Sequence, residues 1–557
     1  MIGSKLFHFI FCILTLTTSV LGYSKLQYSG SEIPIHGDSR ELEECMTEMS
    51  WKSYGGNIML NGKPFHLLGA NWFGFETETF IVHGIWGETT IEKILSFAKE
   101  NKVNALRIPL SLQMALDSNT RVKDGSCTEC GDGKAWNMLD RVFDEAAKKG
   151  ILILLDMHRL NNMGQSQLWY DDQYSEEQFV QGWLNVLGRF RNKPNLIGID
   201  LKNEPYGAAT WGFGKKTDWN EAAERIVDAI NKKYPDFKRL IFIEGVGTGG
   251  AAPKFSTGDV SFNKNWGQNL DGVSKHPIRF SSDYLNERIV YSPHVYGPSV
   301  APQPYFSAPD FPDNMFGIWD KQIGFVEKET GKACVVGEWG GTYVGKDKEW
   351  QDTFSSYLVS RCLSDNFVWC INPNSGDTGG LLKNDWKTPE WGKLDLMKKI
   401  QPNPSVFTAP ITDSKVCVDY GSFANPECSS GISTKQDQGT LENINEHVIE
   451  IPELAPIKTT DIIADIDPEK SRNEGSGDGK CNAAWAQCDG QNWSSANCCP
   501  SGYQCTFINK YYSQCKRAKR SIEESQMTVE IDSEADFSMD VKSPRSNKEE
   551  MEASYGV

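Results

Sequence analysis

Positive charge is in short supply, with 57 Lys and Arg against 74 Asp and Glu and a net charge of −17. Nucleic acid and anionic membrane surfaces reward clustered cations, so neither is an expected partner. Long apolar runs are missing beyond the N-terminus. The run Leu6–Leu21 follows Lys5, is short for a membrane span, and offers small residues at Val20 and Gly22. Residues 1–22 therefore read as a signal peptide, and the protein is expected to be secreted and extracellular. Cys127-Thr-Glu-Cys130 has no second half-site of matching spacing, so a loop disulfide is expected there and no metal site. The first apolar strand candidate ends in Gly69-Ala-Asn-Trp72 without a Gly-rich phosphate turn, which argues against an open nucleotide-binding sheet.

Eight short apolar runs are present: Phe65–Trp72, Ala105–Leu110, Ile151–His158, Ile197–Glu204, Leu240–Val246, Ile289–Tyr296, Cys334–Trp339 and Phe367–Asn372. Amphipathic stretches lie between them, among them Thr90–Asn101, Asn137–Lys149, Glu176–Arg191 and Trp219–Lys233. Strands apolar on both faces and separated by helices indicate a parallel sheet. Eight such units predict an α/β fold, a (β/α)8 TIM barrel over residues 45–430. Residues 23–44 read as a disordered leader, 431–479 as a flexible acidic linker, and 517–557 as a disordered tail. Residues 480–516 form an island with six Cys, expected to be a small disulfide-rich β module. The chain has 15 Cys, and setting Cys12 aside with the signal leaves 14, an even number that suits an oxidising compartment. The 17 Trp and 18 Tyr suit sugar clefts and ordinary cores alike.

Polar residues fall where the apolar runs end. Arg107 lies in the second run, and Asp156 and His158 end the third. Asn203-Glu204-Pro205 ends the fourth, His294 and Tyr296 the sixth, and Glu338 the seventh; Trp369 lies in the eighth. A barrel gathers the C-terminal ends of its strands at one mouth, so these residues would share a cleft. A lone Glu at a strand end is ordinarily a solvated loop residue; the set is what argues for chemistry. Glycosidic bond cleavage needs one carboxylic acid to protonate the leaving oxygen and a second carboxylate to attack the anomeric carbon or activate water.

The ordered motifs Leu106-Arg-Ile-Pro109, Leu155-Asp-Met-His158, Gly198-Ile-Asp-Leu-Lys-Asn-Glu-Pro205, Tyr291-Ser-Pro-His-Val-Tyr296, Val336-Gly-Glu-Trp-Gly340 and Asn372-Pro-Asn-Ser-Gly-Asp-Thr-Gly-Gly380 resemble family 5 glycoside hydrolases, in particular their endoglucanase branch. The resemblance implies a secreted endo-β-1,4-glucanase, a cellulase that retains configuration through a covalent glycosyl-enzyme. It implies Glu204 as general acid/base and Glu338 as nucleophile, with Arg107, His158, Asn203, His294, Tyr296 and Trp369 holding the sugar and the carboxylates. No cofactor or metal is implied. Arg107 and Tyr296 are expected to keep Glu338 ionised, and that anion to keep Glu204 protonated. Ile371 stands where relatives carry a second Trp, which leaves open a mannanase or xyloglucanase on the same scaffold. A catalytically inactive cellulose-binding wall protein is the alternative of another class. Trp169, Trp211 and Trp266 are further candidates for stacking on sugars.

The island carries Cys481, Cys488, Cys498, Cys499, Cys505 and Cys515, and six Cys allow fifteen pairings. Trp485-Ala-Gln-Cys488, Gly490-Gln-Asn-Trp493, Cys498-Cys-Pro-Ser-Gly-Tyr503 and Asn509-Lys-Tyr-Tyr-Ser-Gln-Cys515 resemble the fungal-type cellulose-binding module of family 1. That resemblance implies the pairs Cys481–Cys498, Cys488–Cys505 and Cys499–Cys515. It also implies a flat cellulose-binding face of Trp485, Tyr511 and Tyr512, rimmed by Asn509 and Gln514. The expected partners are cellulose and related β-glucans, met by a monomer.

Overall fold

The computed structural model describes residues 44–247, 264–431, 487–489, 497–499, 501, 503–509 and 512–517. The signal, leader, linker and tail readings, and with them Cys481, Trp485 and Tyr511, lie outside the described residues or almost wholly so. The described residues fall into two compact units, the first over residues 44–431 and the second over residues 487–517.

In the first unit, eight strands form one parallel sheet: β1 (Leu68–Asn71), β2 (Ala105–Ser111), β3 (Leu152–Arg159), β4 (Leu196–Asp200), β5 (Leu240–Ile243), β6 (Ile289–Tyr291), β7 (Val336–Trp339) and β8 (Asn366–Val368). The sheet order is β6-β5-β4-β3-β2-β1-β8-β7. Parallel bridges Tyr291↔Cys334 and His294↔Glu338 join β6 to β7 and close the ring. The fold is a (β/α)8 barrel. The helix that follows each strand is, in order, α1 (Ile91–Glu100), α2 (Ala135–Lys148), α3 (Glu176–Phe190), α4 (Trp219–Lys233), α5 (Asp283–Asn286), α6 (Met315–Gln322), α7 (Gly345–Ser360) and α8 (Trp391–Ile400), with short helices Leu112–Leu116 and Val326–Thr330 in the connections. Thr90 caps α1 by accepting from the Lys93 amide, and Ser175 with Gln178 forms a capping box at α3. The fifth helix spans a single turn, which explains why no long amphipathic pattern marks it in the sequence.

Side chains alternate across each strand. Leu106, Ile108, Ile153, Leu155, Ile241 and Ile243 face the helices and join Ile94, Leu139, Val142 and Leu187 in one core. Ala105, Leu152, Leu154, Leu240, Phe242 and Phe367 face inward and join a second core. Phe242 on β5 and Phe367 on β8 are not sheet neighbours, yet their rings meet at 6.3 Å across the barrel. Gly69 on β1 has no side chain where a Cβ would strike the Phe367 ring. A hairpin sheet of Trp51–Tyr54, Asn57–Leu60 and Lys63–Pro64 plugs this end, with Trp51 fully buried edge-on against Phe65 at 5.1 Å.

Disulfides Cys45–Cys417, Cys127–Cys130 and Cys362–Cys428 staple the unit. The first joins residues 372 apart and holds Glu44–Met46 beside Val416–Asp419. Cys334 and Cys370 are buried as free thiols, so the even cysteine count does not translate into complete pairing. Among the described residues, no helix is long and apolar enough to cross a membrane.

In the second unit, Gln487–Asp489, Tyr503–Asn509 and Tyr512–Arg517 form an antiparallel sheet with the last strand in the middle. Cys488–Cys505 and Cys499–Cys515 cross-link it, and Cys488 and Cys515 are fully buried. Tyr512, Asn509 and Gln514 lie in the two long strands, Asn509 opposite Tyr512.

Candidate active site

The alternation that aims Ala105, Leu154 and Phe242 into one end of the barrel aims Arg107, Asp156, His158 and Glu244 into the other. Arg107 on β2 is fully buried and spans the interior. Its Nε donates to Asp200 Oδ2 at 2.8 Å. Its Nη1 donates to Glu338 Oε1 at 2.6 Å and to Asn71 Oδ1 at 3.1 Å. Its Nη2 donates to Asn203 Oδ1 at 2.9 Å and Glu244 Oε1 at 3.2 Å, with Asp156 Oδ2 at 3.1 Å. Burial opposes this charge, but Asp156, Asp200, Glu338 and Glu244 together hold it protonated.

Glu338 on β7 also accepts from the Tyr296 hydroxyl, through Oε2 at 2.7 Å. Glu204, just past β4, accepts from His294 Nδ1 at 3.0 Å through Oε1. One oxygen of Glu204 and one of Glu338 lie within 4.8 Å of each other and of the His294 ring. The Glu204 side chain keeps 12% of its surface and that of Glu338 5%, so both open onto the cleft. Glu204 has φ +45°, a left-handed conformation that costs a residue with a side chain about 1–3 kcal/mol.

His294 is fully buried among carboxylates: Nε2 lies 3.1 Å from Glu244 Oε1, and Nδ1 lies 3.5 Å from Glu338 Oε2 as well as bonding Glu204. Burial alone would neutralise it, but Glu244, Glu338 and the bond to Glu204 hold it as the cation. His158 is the opposite case. Burial, with Arg107 and Arg159 nearby, keeps it neutral. Its Nδ1–H then donates to Asp156 Oδ2 at 2.6 Å, and its Nε2 accepts from Gln165 Nε2 at 3.0 Å. Gln165 Oε1 accepts from Asn203 Nδ2 at 3.2 Å.

The titration order of the pair departs from the expected one. Burial pushes Glu338 up to about 7, with Glu204 adding to the rise and His294, Arg107 and Tyr296 opposing it. Glu204 resists its own burial and is held below its ordinary value by the hydrogen bond from His294 and by the charges of His294 and Arg107. The reason is division of charge. The one guanidinium is shared among Asp156, Asp200, Glu244 and Glu338, whereas Glu204 has the imidazolium hydrogen bond.

Trp369 directly follows β8 and is half-buried, its ring nearly parallel to those of Phe73 and His158 at 5.5 Å each. Trp266 is 45% exposed and stacks on Tyr206 at 3.8 Å, beside Glu204. Trp169 and Trp211 are fully buried and pack in the core, so they offer no sugar platform. Ile371 is buried too, its amide donating to the Asn71 carbonyl at 2.9 Å.

The structure thus brings Arg107, His158, Asn203, Glu204, His294, Tyr296, Glu338 and Trp369 to one mouth. Sequence reading left out Asn71, Asp200, Glu244 and Gln165. Glu244 carried the same signal as Glu338, an acid closing an apolar run directly or nearly before a Gly. Glu204, His294 and Glu338 have donor atoms close enough for a cation, as do Asp200, Glu244 and His294. Both sets share His294, which is held as the cation and has no lone pair to offer a metal, and Arg107 already bonds Asp200, Glu244 and Glu338, so a further cation is disfavoured there.

Residues 59–375 match the family described as cellulase (glycosyl hydrolase family 5), and residues 484–512 match the fungal cellulose binding domain. An endoglucanase of Paenibacillus polymyxa is 34% identical over 72% of this chain and 95% of its own. The major extracellular endoglucanase of Xanthomonas campestris pv. campestris is 37% identical over 61% of this chain and 68% of its own. An endocellulase of Pyrococcus horikoshii superposes with a TM-score of 0.59 at 36% identity, covering 63% of this chain and 98% of that structure.

Proposed function

The chain belongs to glycosyl hydrolase family 5, and on that premise we infer that it is an endo-β-1,4-glucanase acting on cellulose, with Glu204 as general acid/base and Glu338 as nucleophile. The observation that carries the roles is the meeting of these two carboxylates within 4.8 Å across the mouth. Retaining glycosidases hold their carboxyl groups about 5–5.5 Å apart, inverting ones about 6.5–9.5 Å. In the first step a Glu338 oxygen bonds the anomeric carbon, the glycosidic C–O bond breaks, and the proton of Glu204 passes to the leaving oxygen. In the second, water attacks the same carbon, Glu204 takes its proton, and Glu338 is released.

The first step needs the proton on Glu204. A glucan chain in the cleft excludes water from Glu204 and raises its pKa. His294 Nδ1 touches both carboxylates, so the proton can pass between them inside the site. Arg107 and Tyr296 then hold Glu338 as the anion. Asn203 is aimed by Arg107 and Gln165 at the sugar hydroxyl next to the cleavage point, and Trp369 lies under the ring.

The domain plan of the sequence reading fits this function. A module at 480–516 joined to the barrel by a linker at 431–479 raises the enzyme's effective concentration on a solid glucan. Five disulfides among the described residues suit an extracellular monomer delivered by a signal at residues 1–22.

Glu338→Ala is expected to abolish hydrolysis of a soluble cellulose derivative while its circular dichroism and thermal melt stay near wild type. Ordinary turnover by that variant would remove Glu338 from the mechanism. Wild-type activity on mannan or xyloglucan above that on the cellulose derivative would reassign the polymer.

A further inference from the structure

Glu244 follows β5 at the mouth, is fully buried, and has no part in bond making or breaking in the reaction above. Its Oε2 accepts the backbone N–H of Glu204 at 2.7 Å. That amide belongs to the residue with left-handed backbone, so the bond pins the conformation that turns the Glu204 side chain into the cleft. On the other side lies Gly267, itself at φ +67°. A Cβ there would strike Glu244 Oε2 and lie 3.2 Å from Glu204 Cα, so the missing side chain lets the three groups close up.

The second oxygen of Glu244 acts on the partner of the same acid. Oε1 faces His294 Nε2 at 3.1 Å and Arg107 Nη2 at 3.2 Å. The contact at Nε2 is an ion pair with no hydrogen bond among the described residues; it holds the ring as the cation against Glu244, and the protonated ring bonds Glu204 Oε1 through Nδ1. The strand end that carries Glu244 is held in turn, for its carbonyl accepts from Trp219 Nε1 at 3.0 Å and the Gly245 amide donates to the Gly267 carbonyl at 2.7 Å.

We propose that Glu244 is a positioning residue for the acid/base step, aiming Glu204 through its backbone amide and through the His294 ring at once. This rests on the reading of Glu204 as acid/base. It makes a distinction that a merely structural role does not. The leaving oxygen of a glucan must receive the proton of Glu204 as its bond to carbon breaks. A dinitrophenolate departs without one. Losing the aim of Glu204 therefore slows glycosylation only where the leaving group needs protonation.

The test compares kcat/KM on cellotetraose and on 2,4-dinitrophenyl β-cellobioside for Glu244→Gln and Glu244→Ala. The glutamine variant keeps the volume should the alanine variant fail to fold. For cellotetraose kcat/KM is expected to fall about 10²-fold, and for the dinitrophenyl substrate to stay within about threefold of wild type. The kcat on the dinitrophenyl substrate falls as glycosyl-enzyme accumulates, and azide, which needs no base, restores it. Equal losses on both substrates, or no loss on cellotetraose, overturn the proposal. Glu204→Ala run in parallel separates the two failures. If it shows the split and the Glu244 variants do not, positioning fails and the catalytic reading stands; if it shows no split, the catalytic reading itself fails.

Discussion

The two ends of the barrel are built from the same strands with the same inward alternation, yet they hold opposite contents. At the hairpin end, Ala105, Leu154, Leu240, Phe242 and Phe367 meet Trp51, Leu60 and Phe65 in an apolar cluster. At the mouth, two residues further along the same strands, Arg107, Asp156 and Glu244 meet Asp200, His294 and Glu338. Burial stabilises the first set at about 25 cal/mol per Å² of apolar surface. It penalises the second, whose charges must neutralise one another or take up protons. Asp156 and Asp200 show the penalty: burial raises both to about 6 despite Arg107. The hairpin end keeps the barrel closed, and the mouth holds charges at positions that water alone would not fix.

Removing Arg107 tests that division most severely. Arg107→Met leaves four buried carboxylates without their shared cation. The expected cost is about 3–5 kcal/mol of unfolding free energy by urea titration. The kcat on soluble cellulose derivative should fall at least about 10²-fold, because Glu338 loses its guanidinium partner. Full activity with reduced stability would make the mouth a structural network only. At the other end, Phe367→Ala opens a cavity against Gly69 and Phe242 and should also cost about 3–5 kcal/mol. Here the kcat of the folded fraction should stay within about twofold of wild type at 25 °C, since nothing the ring touches reaches the sugar. A large fall in kcat would mean that packing at the hairpin end aims the mouth.

The same contrast explains what the sequence revealed. All eight strands were legible because each is apolar on both faces, and the polar residues ending them marked the mouth. Glu204 and Glu338 stood out because Pro205 and Gly340 turn the chain directly or nearly after them. Asp200 carries no local mark, and Glu244 shares with Glu338 a Gly that follows it directly or nearly; what separates an acid that orients from one that reacts is its partners, which come from strands far away in the chain. The protonation order was out of reach for the same reason, since it depends on how many carboxylates share one guanidinium. Trp169 and Trp211 differ from Trp266 only in what covers them, and residue type does not encode cover.

A titrating acid at the hairpin end supplies the smallest and cleanest separation. Asp365 precedes β8, where its Oδ1 accepts from the Leu67 amide at 2.8 Å and from Gln401 Nε2 at 3.5 Å. Burial pushes it up to about 7, against those two bonds. The folded chain therefore keeps a proton here that the unfolded chain releases near its ordinary value of about 3.9. Stability from this group is complete below that value and declines as pH rises through about 7. Asp365→Asn carries no such proton, and its amide can serve Gln401 Oε1, which is buried without a hydrogen-bond partner among the described residues. The variant should melt a few degrees above wild type at pH 8 and together with it at pH 4, with kcat unchanged at both. A shift in the pH profile of kcat instead would tie this remote carboxyl to the mouth and dissolve the separation between the two ends.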